Sequence, residues 1–218
     1  MSGRDTLRLI RGPSLIALGV TLLRLVGERG HWSERWFSPA TGGIIPHGMT
    51  WLFGITWLAI PFGAYFALKL ARAGEGPLRP WRALAWPVAG LVVLFVVGRF
   101  AGRLPVPFPP VLAAVWSVMA IAAALAWIGW PALGRTLLAY GLASRLPVAL
   151  VMFFAMRGNW GTHYDYVGVP VALRLAFWPR YLWLAFFPQL VFWVGFTILM
   201  GALAGGLAVV LLMRPRVA

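Results

Sequence analysis

Long hydrophobic runs alternate with short polar stretches along this chain. An apolar helix of about 20 residues is needed to cross a hydrocarbon core of roughly 30 Å. Six runs come close to or exceed this length, and they cover residues 9–26, 45–70, 83–100, 111–130, 132–156 and 181–213. The pattern predicts an all-α integral membrane protein, a bundle of about six transmembrane helices that forms one membrane domain over residues 1–218.

Two polar, aromatic stretches stand out between the runs, at residues 27–48 and 157–166. Each follows an odd-numbered run, so both are expected on the same side of the membrane. Together they hold all three histidines and three of the five acidic residues of the chain. We therefore expect the two stretches to pack together, and any polar chemistry to be found there.

Composition supports the membrane interpretation. Hydrophobic residues make up 61% of the chain and charged residues 11%, against about 25% charged in soluble domains. The 19 basic and five acidic residues give a formal charge of +14. Because the arginines cluster at run ends, we interpret them as contacts to anionic phospholipids and expect no nucleic acid partner. The chain has no cysteine, which excludes thiolate chemistry and Cys-ligated metal centres, and we expect no cofactor.

Basic residues also predict the orientation, since they favour the cytoplasmic side. With the N-terminus inside, ten cations fall in cytoplasmic segments and seven outside. No small-residue cleavage site precedes Glu28, so the first run is expected to be a retained helix. The sequence thus predicts a bacterial cytoplasmic (inner) membrane protein with both termini in the cytoplasm.

The outer polar residues allow two interpretations. His163 and Asp165 are candidate catalytic acid–base residues, and a metal site could draw on a wider set of imidazoles and carboxylates. The metal candidates are His31, His47, His163, Glu34 and Asp165. Alternatively, these side chains only anchor the protein among lipid headgroups, beside Trp and Tyr residues of the interface.

Three further features involve charge or spacing. Arg24 and Glu28 lie four residues apart and can pair on one helix face. Arg99 and Arg103 have the same spacing with like charge, so they are candidates for binding a phospholipid phosphate or another anion. Each of two small-residue pairs could mark a helix seam within the molecule or a dimer face, and we expect the internal seam; the pairs are Gly201/Gly205 and Ala120/Ala124.

A short resemblance hints at an internal repeat. Residues 29–32 read Arg-Gly-His-Trp and follow the first run, while residues 157–160 read Arg-Gly-Asn-Trp and follow the fifth. A Trp-Leu-Ala sequence and a proline come later in both cases. Chance resemblance remains the alternative, because Gly, Trp and Arg are abundant here.

Arg145 is expected to be the residue most costly to insert into the membrane. It lies ten residues after Arg135 and thus about 15 Å deeper. No run carries a carboxylate at that depth. We expect Arg145 to face the bundle interior. Either backbone carbonyls and hydroxyls hold it, with Ser117, Tyr65 and Tyr140 as candidates, or it lines a cavity that admits an anion.

The sequence predicts no specific activity. It lacks a GxSxG nucleophile motif, a Walker-type glycine loop and a metal-ligating helix pair. The first hypothesis is therefore a non-catalytic scaffold, accessory subunit or assembly partner, with another membrane protein as its partner. The alternative is a lipid- or anion-handling membrane enzyme or carrier that uses Arg145 and the outer polar loops.

Overall fold

A computed structural model of the chain describes residues 3–39, 49–101, 110–165 and 175–212. Every regular element in these residues is helical. The helices are α1 (Gly3–Arg29), the short α2 (Glu34–Phe37), α3 (Ala59–Arg72), α4 (Pro80–Ala101), α5 (Pro110–Gly129), α6 (Pro131–Gly158) and α7 (Phe177–Leu212). Two 3-10 turns, Thr50–Phe53 and Thr56–Leu58, precede α3.

Five of these helices, namely α1, α4, α5, α6 and α7, are long and apolar enough to cross a membrane. Their outward faces carry large apolar side chains, such as Phe95 on α4 and Leu211 on α7, each about three-quarters exposed. A surface of this kind is stable in lipid and not in water. The fold is therefore that of an all-helical membrane protein.

The second hydrophobic run differs from the expected single helix. Its helical part, α3, has only 14 residues and a length of about 21 Å. The chain leaves the helical conformation at Gly54, whose backbone is extended. Irregular backbone at membrane depth persists only where it is enclosed by protein or lines a cavity, and this segment lines the cavity described below.

Helix α7 lies at the centre of the bundle and packs against α3, α4, α5 and α6, while α1 packs on α6. Helices α3 and α7 approach each other closely. A Cβ atom on Gly63 would overlap the backbone of Gly201, and one on Gly205 would lie 2.8 Å from the Cβ of Ala67. The Gly201/Gly205 pair is thus an intramolecular seam, as predicted.

The second small-residue pair behaves differently. Ala120 and Ala124 lie on the exposed face of α5, so the expected internal seam was wrong for this pair. The alternative, a dimer face, stays a prediction. The buried face of α5 carries Ala122, Ala123 and Ala126 instead. Alanine is so frequent along α5 that spacing alone did not distinguish the buried face from the exposed one.

The two Arg-Gly-x-Trp sequences form the same helix ending. His31 and Asn159 both adopt left-handed backbone, with φ of 51° and 48°. The Trp32 N–H donates to Gly27 O at 2.9 Å, and the Trp160 N–H donates to Ala155 O at 3.3 Å. This six-to-one bond defines a Schellman cap. Shared capping chemistry explains the resemblance locally, without a need for duplication.

Candidate functional site

The polar stretch after α6 is a compact turn built around Asp165. One carboxylate oxygen accepts the Gly161 N–H at 2.7 Å, and the other accepts the Thr162 N–H at 2.8 Å. Both Asp165 and Thr162 are only 2% exposed. Asp165 was predicted as a candidate catalytic residue and metal ligand. Its carboxylate instead accepts backbone hydrogen bonds within its own turn.

That turn presents His163 to the end of α1. The His163 Nδ1 atom lies 2.7 Å from one oxygen of Glu28 and 2.8 Å from the other. The His163 backbone N–H donates to the same carboxylate at 2.9 Å. The packing of the two polar stretches is thus present, as expected. The acidic partner of His163 is Glu28 from α1 and not Asp165.

Glu28 is 3% exposed and holds Arg24 as well as His163. The Arg24 Nε donates to Glu28 Oε1 at 2.8 Å, which confirms the predicted pair. A buried carboxylate needs such partners, because its desolvation is expensive. Arg29 adds a contact between the two stretches, with its guanidinium 5.5 Å from the centre of the Trp160 ring.

The protonation of His163 follows from these contacts. Burial lowers its pKa, and the Glu28 carboxylate opposes that effect without overcoming it. The ring is therefore neutral near pH 7. Because a carboxylate can only accept a hydrogen bond, the single ring proton lies on Nδ1 and the Nε2 atom keeps its lone pair.

Arg145 lies inside the bundle, 5% exposed, as the sequence predicted. Its partners are not the predicted hydroxyls of Ser117, Tyr65 or Tyr140. The Arg145 Nη2 donates to Thr56 Oγ1 at 3.2 Å and Nη1 to Gln189 Oε1 at 3.4 Å. The guanidinium also lies 5.0 Å from the ring centre of Trp193. These partners are neutral.

The predicted hydroxyls are occupied or turned away. Ser117 donates to the carbonyl of Ala113 on its own helix, and Tyr65 is 40% exposed on the outside of α3. Tyr140 packs between aromatic rings of α3 instead. Depth along a helix was predictable from residue count, but the direction of each side chain depends on helix rotation.

Arg145 and His163 line the same cavity. It measures about 170 Å³, with room for several water molecules. Among the described residues, its walls carry two arginines and no carboxylate. The polar and aromatic lining residues include Arg24, Thr56, Arg145, His163, Gln189 and Trp193.

Local irregularities of the helices open this cavity. The 3-10 segment before α3 contributes Gly54 and Thr56 to the wall. In α7, π-helical turns cover Leu182–Phe186 and Pro188–Trp193. Pro188 lacks a backbone N–H, and the wider helix around it turns Gln189 and Trp193 toward the same space. π-Helical turns of this kind occur often at functional sites.

Sequence reasoning missed Thr56, Gln189 and Trp193. A signal for one of them was present, because Gln189 is the single glutamine of the chain and lies within an apolar run. A lone carboxamide in such a run marks a polar interior position. No comparable signal distinguishes Thr56 or Trp193 from the other threonines and tryptophans.

Three of the remaining candidates, His31, Glu34 and Arg99, are exposed and do not line this cavity. The other two, His47 and Arg103, lie outside the described residues. Within the described ranges, no three His, Asp or Glu side chains are grouped so that they could hold a metal ion. The geometry points to the cavity between Arg145 and His163.

Comparisons of the chain with models of known protein families, with curated proteins and with solved structures find no match.

Proposed function

We propose that this protein binds an oxyanion of the phosphate type in the cavity at Arg145. The ion is either free phosphate or the phosphate group of a lipid. The single observation that carries the proposal is Arg145, a buried guanidinium in a polar cavity whose partners among the described residues are all neutral. The proposal takes up the anion-handling alternative of the sequence analysis.

The charge of Arg145 is costly to bury. An arginine at the centre of a membrane helix costs about 2.5–3.5 kcal/mol on insertion scales. Two hydrogen bonds of 3.2 and 3.4 Å to neutral acceptors and the contact with the Trp193 ring offset part of this cost but leave the charge without a counterion among the described residues. A phosphate oxygen would accept charge-assisted bonds of about 2.7–2.9 Å and match the planar fork of the guanidinium. An anion is thus the partner that this site lacks.

The setting is part of the same proposal. We place the protein in the bacterial cytoplasmic membrane as a single domain with six crossings and both termini in the cytoplasm. The sixth crossing would be the second hydrophobic run, in which α3 and the two 3-10 turns before it together span the membrane. Anionic phospholipids are the proposed lipid partners, and a membrane protein partner is left open. The scaffold hypothesis stays a prediction. We prefer anion binding because a scaffold role does not explain why a costly arginine is buried at position 145.

The test measures thermal unfolding of the purified full-length protein. Inorganic phosphate should raise the Tm of the protein in phosphatidylcholine nanodiscs, relative to chloride at equal ionic strength, if the ligand is free phosphate. If it is a lipid headgroup, phosphatidic acid in the nanodiscs should raise the Tm instead. Ligand at 100 times its Kd stabilises by about 2.7 kcal/mol.

Arg145→Leu should abolish the rise in Tm, and Arg145→Gln, which keeps a polar amide on a shorter and uncharged side chain, should do the same. The matched control is Arg135→Leu, an exposed cation on the same helix, which should keep the rise. The proposal is wrong if neither phosphate source raises the Tm of the wild type, or if both Arg145 variants respond like the wild type.

A further inference from the structure

The ring nitrogens of His163 are used unequally. Nδ1 bonds to Glu28 at 2.7–2.8 Å, whereas Nε2 has no hydrogen-bond partner among the described residues. The side chain is 21% exposed, and it lines the cavity that contains Arg145. His163 therefore offers a basic nitrogen beside the proposed anion site.

Glu28 holds this ring in one orientation. Three donors converge on its carboxylate: the His163 Nδ1, the His163 backbone N–H and the Arg24 Nε. A buried carboxylate on Nδ1 fixes the imidazole tautomer and stabilises the imidazolium that forms when Nε2 takes up a proton. This arrangement suits an acid–base residue better than a headgroup anchor, which has no need of a fixed tautomer.

Two guanidinium groups face the same space. Arg24 uses its Nε for Glu28, while its terminal amino groups make no hydrogen bond to any part of the chain that is described. Arg145 lies deeper, on α6. A phosphate monoester carries a charge of about −1.5 to −2 at neutral pH. Arg24 is paired with Glu28, so the two arginines and this carboxylate together present one net positive charge, which attracts a phosphate ester but not an uncharged carboxylic ester. The cation arrangement favours a phosphate ester as the ligand.

We propose that His163 is the catalytic acid–base residue of a phosphate ester hydrolase, with Arg24 and Arg145 binding the phosphate and Glu28 positioning the imidazole. This inference rests on the proposed function, since it requires the anion site at Arg145.

The reaction balances without a further reactant. Nε2 takes a proton from water as the water oxygen attacks phosphorus. The bond between phosphorus and the ester oxygen breaks on the opposite side, the departing oxygen takes up a proton from solvent water, and the imidazolium returns its proton to solvent. The products are inorganic phosphate and an alcohol, and His163 returns to its neutral state. The arginines stabilise the charge on the phosphoryl oxygens during transfer.

The experiment measures release of inorganic phosphate by the full-length protein in phosphatidylcholine nanodiscs. One arm supplies phosphatidic acid within the nanodisc, and the other supplies p-nitrophenyl phosphate in solution. Release in the first arm identifies a lipid ester, and release in the second identifies a soluble one. The wild type should release phosphate in at least one arm.

The decisive variant is His163→Asn. The asparagine amide can donate to Glu28 from near the position of Nδ1, but it has no atom equivalent to Nε2. We expect His163→Asn to keep the phosphate-dependent rise in Tm and to lose at least about 100-fold in kcat/KM, the lower range for a general acid–base group. His31→Asn is the matched control, because His31 is exposed and asparagine tolerates its left-handed backbone.

The outcomes separate the two proposals. If phosphate or phosphatidic acid raises the Tm but neither ester is hydrolysed, the catalytic inference is overturned and the binding function stands. The inference is also overturned if His163→Asn hydrolyses either ester as fast as the wild type. Absence of both binding and hydrolysis contradicts the proposed function itself.

Discussion

Glu28 and Arg145 are both buried charges, but their surroundings differ. Glu28 receives three hydrogen bonds from two residues, and one of these is the cation Arg24. Within the described part of the chain, the hydrogen-bond partners of Arg145 are neutral. A buried ion is stable when it is paired and hydrogen-bonded, so Glu28 is satisfied within the chain. Of these two buried charges, Arg145 is the one that a bound anion would stabilise more.

The surroundings of His163 predict that the stability of the folded protein depends on pH. Burial lowers its pKa in the folded protein; Arg24 acts in the same direction, and Glu28 and Asp165 oppose it. The unfolded chain, with an ordinary pKa of about 6.5, then binds protons more tightly than the folded one. Stability should fall as the pH drops through the unfolded-state pKa of about 6.5. The loss should level off once the pH is below the lower pKa of the folded state.

The measurement compares the Tm of the wild type with that of His163→Asn from about pH 8 to about pH 5. Lost packing in the variant gives a constant offset, so only the slope of the difference is informative. The wild type should lose stability relative to the variant toward low pH. A relative gain at low pH would show that the Glu28 carboxylate outweighs burial.

At the scale of helices, the α3–α7 seam depends on glycine. Gly63→Ala would place a methyl group against the Gly201 backbone, which cannot rotate away. Overpacking costs about 1–3 kcal/mol, and for a chain of this size the Tm should fall by roughly 2–12 °C.

Gly19→Ala on α1 is the control for this prediction, since its new methyl group would meet no atom within 4 Å. It should leave the Tm unchanged or slightly raised, because alanine favours helix more than glycine does. Equal effects of the two substitutions on Tm would mean that α3 and α7 do not approach through Gly63.

At the scale of the whole molecule, the proposed orientation can be tested by labelling single cysteines in this naturally cysteine-free chain. Ser33→Cys, after α1, should react with an impermeant thiol reagent on intact spheroplasts, whereas Gly76→Cys, before α4, should react only after lysis. Both positions are exposed. Thr162, on the same side as Ser33, is unsuitable because it is buried. Labelling of Gly76→Cys on intact spheroplasts would reverse the orientation.

The sequence by itself determined the class of the protein. Apolar runs of membrane-spanning length predicted five helices that the structure contains, since hydropathy reports directly the solvent that a helix faces. Local spacing was sufficient for the Arg24–Glu28 pair, because residues four apart share a helix face. The burial of Arg145 followed from the same reasoning, as a mid-helix charge avoids lipid.

Only the tertiary structure decided which residues meet. Glu28 and His163 lie 135 positions apart, and their contact depends on how α1 packs against α6. Thr56 and Gln189 reach Arg145 through a 3-10 segment and a π-helical turn, which shift side chains away from the positions that regular helix spacing predicts. Helix rotation and these local irregularities depend on packing between segments that are distant in sequence. The periodicity of the sequence therefore could not predict them.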